Sequence, residues 1–340
     1  MRSAVSVLLS FLFLFGSSFE LRSEEPKDFY KGKTITIVVG HEVGTGFDTY
    51  SRLLARHLGN FIPGSPTVIV QNMPGASGVT AANWAFNIAP KDGTVLATFA
   101  PTVGLEPLFG NPQARYAPDK FVWVGNLEAS VAVCIFSRSS EIRSFSDLMK
   151  EEVVMGAAGP TGPPTLTTLA LKNLLGAKIR LIMGYKGAGD VKLAIKRGEV
   201  KGICGLPWST ISASWRDELD SGEFLPVLQV SGGKLPEPWK MQHYLDLDLS
   251  ENQKQVLSLI FGIQSLGRPY AMPPGTPIEQ ASIIMNAFVN VAQSPEFLAD
   301  AKKLNIDIAP MDSNSLRDIW RGYAEIPKSL IDVAKQAVTP

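Results

Sequence analysis

The stretch best suited to binding chemistry is GHEVGTGFDTYSRLLARHL, residues 40–58. Its glycines, together with Thr45 and Asp48, lie between an apolar run and an amphipathic segment. A glycine-rich turn that opens a helix presents several backbone N–H groups without acceptors, beside the positive end of the helix dipole. Such a turn binds an anion without arginine or lysine. The alternative is a glycine-rich turn that holds no ligand, and the turn alone leaves both readings open.

A second loop of this kind is GPTGPPT, residues 159–165, between the apolar run 153–158 and a helical segment. Two such loops in consecutive α/β units favour a shared cleft. Neither is a phosphate loop, because GxxxxGK followed by Ser or Thr is missing and GTGFD does not match GxGxxG. We therefore expect any bound anion to be held by local geometry.

No pattern typical of catalysis or metal binding accompanies these loops. The three histidines are scattered, CxxC and HxxxH do not occur, and GASG at 75–78 is followed by Val79 where a nucleophile elbow needs glycine. We expect no catalytic residue, no metal, no cofactor and no enzymatic activity. A secreted enzyme on a two-lobed α/β fold is the least favoured alternative, because it would need a nucleophile–base pair or a metal cluster.

The two cysteines, Cys134 and Cys204, both lie in apolar runs, VAVCIF and VKGICG, that are typical of buried strands. They could pair in an oxidising compartment. We favour the other interpretation, in which each is a small buried hydrophobic residue.

Strands and helices alternate along the chain at the spacing of an α/β fold. Short β-rich runs at 34–40, 67–71 and 95–100 are separated by helical segments, the first of which is expected to begin near Asp48. Asp48 and Arg52, four residues apart with the acid first, form a favourable helix pair. A second alternating set follows residue 136, so the pattern predicts two units, each with a mostly parallel sheet.

Composition and the N-terminus restrict the class further. Apolar residues make up 45% of the 340 residues, charged residues 19%, and the formal net charge is zero, which indicates a globular protein and argues against a nucleic-acid partner. Arg2, the apolar run 4–15 and the small residues that follow read as a signal peptide over residues 1–25. An uncleaved membrane anchor is the alternative. The mature protein is expected to be exported and soluble.

The chain resembles the periplasmic solute receptors of tripartite tricarboxylate transporters, the Bug family. The matching pieces are ITIVVGHEVGTGFDTYSRLLARHL, QNMPGASGVTAANWAFNIAPKDGT, GYKGAGDVKLAIKRGEVKG and RPYAMPPGTP, which occur in order along essentially the whole mature chain. The resemblance implies a two-lobed periplasmic binding protein of type II, a Venus flytrap. It places lobe 1 at 26–128 and 266–340, and lobe 2 at 129–265.

The resemblance also implies a function. In that family a small carboxylate is gripped between the lobes, which close on it, and is delivered to a membrane permease. Here this means a periplasmic, monomeric receptor for a di- or tricarboxylate or related organic anion. The same scaffold could instead present its ligand to a membrane histidine kinase, and the sequence does not separate these roles.

Carried over residue by residue, the family's grips give a candidate ligand site. The first grip is the turn before the first helix, the second is the matching loop of lobe 2, and a third segment, YKGAG, lies near the cleft. The implied ligand-binding residues are Val43, Gly44, Thr45, Gly46 and Asp48, then Ala158, Gly159, Thr161, Gly162 and Thr165, and finally Gly187 and Ala188.

Several residues depart from the family's pattern or have two interpretations. Glu42 stands where the family has a small or apolar residue, and we expect it to point to solvent; otherwise the ligand would carry a cationic or hydroxyl group. His41 replaces an aromatic residue. Asp48 either caps the helix, holds Thr45 or accepts a hydrogen bond from the ligand. Trp208, just after a strand end, is a candidate cleft wall.

Overall fold

The computed structural model describes residues 29–232, 235 and 239–340. The signal peptide predicted over residues 1–25 lies outside this part. Two six-stranded sheets form the framework. In chain order the strands are β1 Thr34–Val39, β2 Thr67–Asn72, β3 Val95–Thr98, β4 Val122–Asn126, β5 Ala132–Ser137, β6 Val153–Gly156, β7 Ile179–Ile182, β8 Gly202–Pro207, β9 Phe224–Gln229, β10 Gln242–His243, β11 Pro269–Met272 and β12 Met311–Asp312.

The helices lie between and after these strands, and short 3-10 turns supplement them. They are α1 Gly46–Leu58, α2 Val79–Asn87, α3 Pro163–Leu175, α4 Ala188–Lys196, α5 Trp208–Ser214, α6 Arg216–Asp220, α7 Glu251–Gly262, α8 Ile278–Gln293, α9 Pro295–Lys303, α10 Ser313–Ala324 and α11 Lys328–Ala337. In the described part of the chain, none of them is long and apolar enough to cross a membrane.

Each sheet is parallel in one half and largely antiparallel in the other. The first has the order β12-β4-β11-β3-β1-β2, and the second has the order β10-β9-β5-β8-β6-β7. β2, β1 and β3 pair in parallel through the crossovers α1 and α2, as do β7, β6 and β8 through α3 and α4. The α/β two-lobed fold predicted from the sequence is confirmed, with mixed sheets.

The antiparallel pairing arises where the chain changes lobes. β5 is the first strand after the chain enters the second lobe, and it runs antiparallel to both of its neighbours. β11 is the first strand after the return, and it is antiparallel to β3 and β4. The two crossings lie side by side: Ala129 and Leu266 form an antiparallel bridge, and Ser130 N–H donates to Ser265 O at 2.9 Å.

The C-terminal helix extends the contact between the lobes. α10 packs on β4 of the first sheet, and α11 packs on α3 and α7 of the second lobe. One buried apolar cluster is continuous across this side of the molecule, and it includes Phe99 and Trp123 of the first lobe with Phe136 and Leu166 of the second. The lobes therefore share a core there, which limits how they can move relative to each other.

The cysteine interpretation favoured from the sequence is wrong. Cys134 in β5 and Cys204 in β8 form a disulfide. These strands are antiparallel neighbours in the middle of the second sheet, so the two buried side chains meet there. The pairing of strands separated by 70 residues could not be seen in the two apolar runs taken singly.

Candidate functional site

The first candidate loop leaves the carboxyl end of β1 and enters α1. The helix begins at Gly46, two residues earlier than expected, because the Thr45 side chain accepts from Asp48 N–H as the N-cap. The buried side chains Tyr50, Leu53 and Leu54 then hold α1 against the sheet. The loop is thus fixed at both ends, by a strand and by a capped helix.

Asp48 organises this loop. Its carboxylate accepts from Gly44 N–H at 2.9 Å, from the Asn72 amide at 2.9 Å and from Arg52 at 2.9 Å. The i, i+4 pair predicted for Asp48 and Arg52 is confirmed. Hydrogen bonds from Arg52, Gly44 and Asn72 outweigh the effect of burial and lower the pKa of Asp48, so it is ionised at neutral pH. With these partners the Asp48 side chain fixes the shape of the loop.

The first turn of α1 offers unused donors. Gly44 N–H donates to Asp48 and Thr45 N–H to Glu42 O, but the N–H groups of Gly46 and Phe47 have no acceptor in the described part of the chain. They point out of the positive end of a 13-residue helix. These two groups can hold a carboxylate.

The exposed rim of the loop agrees with the expectation for Glu42. Its side chain is exposed, and its carbonyl accepts from both the N–H and the hydroxyl of Thr45. Val43 is 68% exposed, and Gly44 has a φ of +81°, with no heavy atom within 4 Å of where a Cβ would lie. The acidic side chain at the mouth therefore does not occupy the position of the free amides.

A column of stacked side chains supports the loop from below. His41 stacks on Phe47 with ring centroids 4.2 Å apart, and the Arg268 guanidinium lies 4.5 Å from the Phe47 centroid and 5.1 Å from that of Tyr50. Burial, with a contribution from Arg268, lowers the pKa of His41 to about 3. His41 is therefore neutral at physiological pH and packs against Phe47 as an uncharged aromatic ring.

Arg268 and its neighbour Glu128 are the site residues that sequence reasoning missed. Both side chains are almost fully buried, and Arg268 Nε lies 3.4 Å from Glu128 Oε2. They sit on the two crossings between the lobes, where Gly267 N–H donates to Glu128 O. Arg268 is the first residue of the motif RPYAMPPGTP. Nothing in the sequence indicates which acidic residue this arginine contacts.

The second loop presents donors in a different way from the first. Its free amides lie before the helix and not in the first turn, because Pro163 and Pro164 occupy the first positions of α3 and have no N–H. The Thr165 hydroxyl donates to Gly159 O at 2.6 Å and its N–H to Gly162 O, so Thr165 holds the loop's shape. The amides of Ala158, Gly159 and Thr161 remain without acceptors in the described residues.

The two loops meet at a common turn, residues 75–78. The Thr161 hydroxyl donates across the lobes to Ala76 O at 2.9 Å. A Cβ on Gly159 would lie 2.5 Å from Ser77 Oγ, and one on Gly40 would lie 3.0 Å from Gly78 Cα. The first loop and the second loop thus flank one turn from opposite lobes.

The third predicted segment is less closely joined to the others. Gly187 is the N-cap of α4 and Ala188 its first residue. Within the described ranges neither makes a hydrogen bond to the first lobe. A Cβ on Gly187 would meet nothing within 4 Å, so this turn borders open space.

Trp208 lines a space between the lobes that includes none of the predicted ligand-binding residues. It is buried, packs against Trp239 with tilted rings whose centroids are 5.3 Å apart, and forms one wall of a cavity of about 610 Å³. The facing wall is the first-lobe segment around Ile306 and Asp307. Tyr50 connects this wall to α1, since its hydroxyl donates to Asp307 O at 2.8 Å.

Solved structures with this arrangement are periplasmic binding proteins. BugD is 18% identical over 91% of this chain and 98% of that chain, with a TM-score of 0.65. An R. palustris protein with adipate is 16% identical (90% and 97% covered, TM-score 0.69), and MatC from Rhodopseudomonas palustris with bound malate is 18% identical (90% and 99%, 0.63). No known protein-family profile and no curated protein matches the chain.

The chain therefore shares its fold with a known group of proteins. It is the two-lobed fold of the Bug and TctC periplasmic binding proteins, shared over nearly the full length of the solved chains. The resemblance that the sequence motifs indicated is confirmed at the level of the fold. A TctC solute-binding protein and the periplasmic binding protein BugD are among these neighbours, and two others hold adipate or malate.

Proposed function

We propose that this protein is an extracytoplasmic receptor that captures a small organic carboxylate between its lobes. The observation that carries the proposal is the pair of unused amides at Gly46 and Phe47, at the positive end of α1. Across the common turn 75–78, the second lobe offers the unused amides of its own loop. Domain closure on the ligand, with no chemical step, is the proposed mechanism.

The energies support an affinity useful for uptake. A hydrogen bond to a charged group contributes about 1.5–3 kcal/mol, and micromolar affinity requires about 8 kcal/mol. Four or five amides and hydroxyls on a carboxylate reach that value after the cost of ordering the ligand. Local donors of this kind can therefore supply much of the affinity of a protein whose net charge is zero.

Each predicted site residue has a role in this proposal. Gly46 with Phe47 in the first lobe, and Ala158, Gly159 and Thr161 in the second, supply the backbone donors. Val43, Gly44, Thr45 and Gly162 form the two loops, and Gly187 and Ala188 border the cleft. Asp48 and Thr165 act as positioning residues, because their side chains are bonded within their own loops.

We propose that the location and the membrane partner of this protein are those expected of a receptor of the Bug family. The receptor works as a periplasmic monomer after removal of the signal peptide, and it delivers its ligand to a tripartite tricarboxylate-type permease. Adipate and malate, held by two proteins of the same fold, are the first compounds to test.

A thermal-melt screen of refolded mature protein tests the proposal. The panel contains adipate, malate, succinate, citrate and glutamate, each beside its uncharged amide where one exists. A ligand at 100 times its Kd should add about 2.7 kcal/mol to the free energy of unfolding, which raises Tm by several degrees. We expect at least one acid to act and its uncharged amide to fail. Shifts by neutral compounds alone would refute carboxylate capture.

A further inference from the structure

Arg268 occupies an unusual position for a buried charge. Its side chain is 2% exposed, yet it points at the first turn of α1 and not at solvent. A Cβ placed on Gly46 would lie 2.5 Å from Arg268 Nη2 and 3.3 Å from Cζ. The guanidinium therefore lies directly beneath the residue whose N–H is an unused donor.

The described residues around Arg268 satisfy only part of the hydrogen-bonding capacity of its guanidinium. Nη1 donates to Gly267 O at 2.8 Å, while Nε makes no hydrogen bond to any residue that the structure describes. Glu128 Oε2, 3.4 Å from Nε, is likewise buried without a hydrogen-bond partner. Buried polar groups are nearly always satisfied, so a loose pair of this kind leaves hydrogen-bonding capacity for a further polar or charged group.

The surroundings keep the guanidinium in this place. The backbone N–H of Arg268 donates to Asn126 Oδ1 at 2.7 Å. This bond fixes the Arg268 backbone to the end of β4, where the chain leaves the first lobe. The rings of Phe47 and Tyr50 hold the planar head by cation–π contact. The nearby His41 is neutral and adds no competing charge.

We infer that Arg268 is the residue that makes this site select an anion, by placing a buried positive charge behind the amides of Gly46 and Phe47. When no ligand is bound, the Glu128 carboxylate partly neutralises the Arg268 guanidinium. When a ligand is bound, its carboxylate also interacts with that guanidinium. This inference rests on the proposed function. It adds a buried arginine to a site that the sequence predicted to bind an anion without arginine or lysine.

The inference gives Glu128 and Arg268 opposite effects on binding. Glu128→Gln keeps the shape but removes the neutralising charge, so adipate, or whichever acid shifts the wild-type melt most, should bind roughly threefold to tenfold more tightly. Arg268→Met combined with Glu128→Gln removes both charges and should weaken the same acid by roughly ten- to a hundredfold. Affinity for the uncharged amide should change little in either variant.

Isothermal titration calorimetry on the mature chain measures these constants. Arg56→Met is the matched control, because it removes one positive charge from the exposed far end of the same helix and should leave Kd unchanged. Circular dichroism confirms folding, and Arg268→Lys serves if the double variant does not fold: it should retain most of the preference for acid over amide.

The outcomes separate the two claims. Wild type that binds no acid would overturn the proposed function and this inference together. Wild type that binds an acid while Glu128→Gln weakens binding or leaves it unchanged would overturn this inference alone, since a purely structural ion pair gives that result.

Discussion

Gly46 is the residue at which the backbone donors and the buried guanidinium of Arg268 come closest. The absence of a Cβ is what lets the two approach. Neither the glycine nor the arginine could replace the other: the first supplies the donor and the space, the second supplies the charge.

Replacing Gly46 with alanine should abolish this approach. The new Cβ would displace Arg268 Nη2 and tilt the first turn of α1, so carboxylate affinity should fall at least about tenfold while the protein still folds. Gly322→Ala is the control, because that helical glycine has no heavy atom within 4 Å of a Cβ. Equal Kd values for the two variants, measured by calorimetry, would contradict this account.

His41 should make the protein sensitive to acid. Its pKa is about 3 in the folded state against 6.5 in the unfolded state, so between these values the unfolded chain binds a proton that the native state does not. Stability is therefore complete above pH 6.5 and falls with pH by up to about 1.4 kcal/mol per pH unit. Urea unfolding at pH 7, 5.5 and 4 checks this.

His41→Phe is the matching variant for that experiment. It keeps the stacking on Phe47 and cannot be protonated, so it should lose less stability than the wild type from pH 7 to pH 4. Parallel loss in the two proteins would show that His41 is not buried in its neutral form.

At the scale of elements, local patterns predicted what local physics decides. β1 and α1 were visible because their apolar residues follow the periods of a buried strand and an amphipathic helix. The start of α1 differed by two residues because a single cap, Thr45, decides it. Pro163 and Pro164 are visible in the sequence, and they indicate that the first turn of α3 lacks two donors.

Pairings between distant elements could not be predicted. Glu128 and Arg268 are 140 residues apart in the chain, and they meet only because both crossings run side by side. Cys134 and Cys204 are joined for the same kind of reason, the adjacency of β5 and β8. Such contacts depend on sheet order, which hydrophobic periodicity does not encode.

The disulfide should stabilise the second lobe substantially. Closing a loop of about 70 residues removes unfolded-state entropy equivalent to roughly 4 kcal/mol in the chain-entropy model. Cys134→Ala with Cys204→Ala should therefore lower the free energy of urea unfolding by up to about that amount. Treatment of the wild type with a reductant in denaturant should match the double variant; an unchanged midpoint in both would show that the bond contributes nothing.

In the whole molecule, the lobes contact each other in two places. They share an apolar core on one side, and a few hydrogen bonds join them beside the candidate site. The continuous core that includes α11 forms the permanent connection. The Thr161 hydroxyl on Ala76 O, with the Thr102 hydroxyl on Thr161 O at 3.0 Å, is the contact at the mouth. In the proposed closure on a ligand, the contact at the mouth is thus a small polar one.

Thr161→Val should favour the open arrangement. It keeps the side-chain shape and removes one hydrogen bond between the lobes, so carboxylate affinity should fall roughly threefold to tenfold. Small-angle X-ray scattering should also show a larger radius of gyration. Thr168→Val is the control, because the buried Thr168 hydroxyl in the following helix α3 has no hydrogen-bond partner among the described residues. If the two valine variants behave alike, the contact at Ala76 is not what closes the lobes.

Amide hydrogen exchange with and without the best carboxylate tests the central claim most directly. The account predicts added protection in two segments at once, residues 44–50 of the first lobe and residues 157–162 of the second, because one ligand is gripped from both sides. Protection confined to one lobe, or found instead around the cavity wall at 301–308, would contradict it.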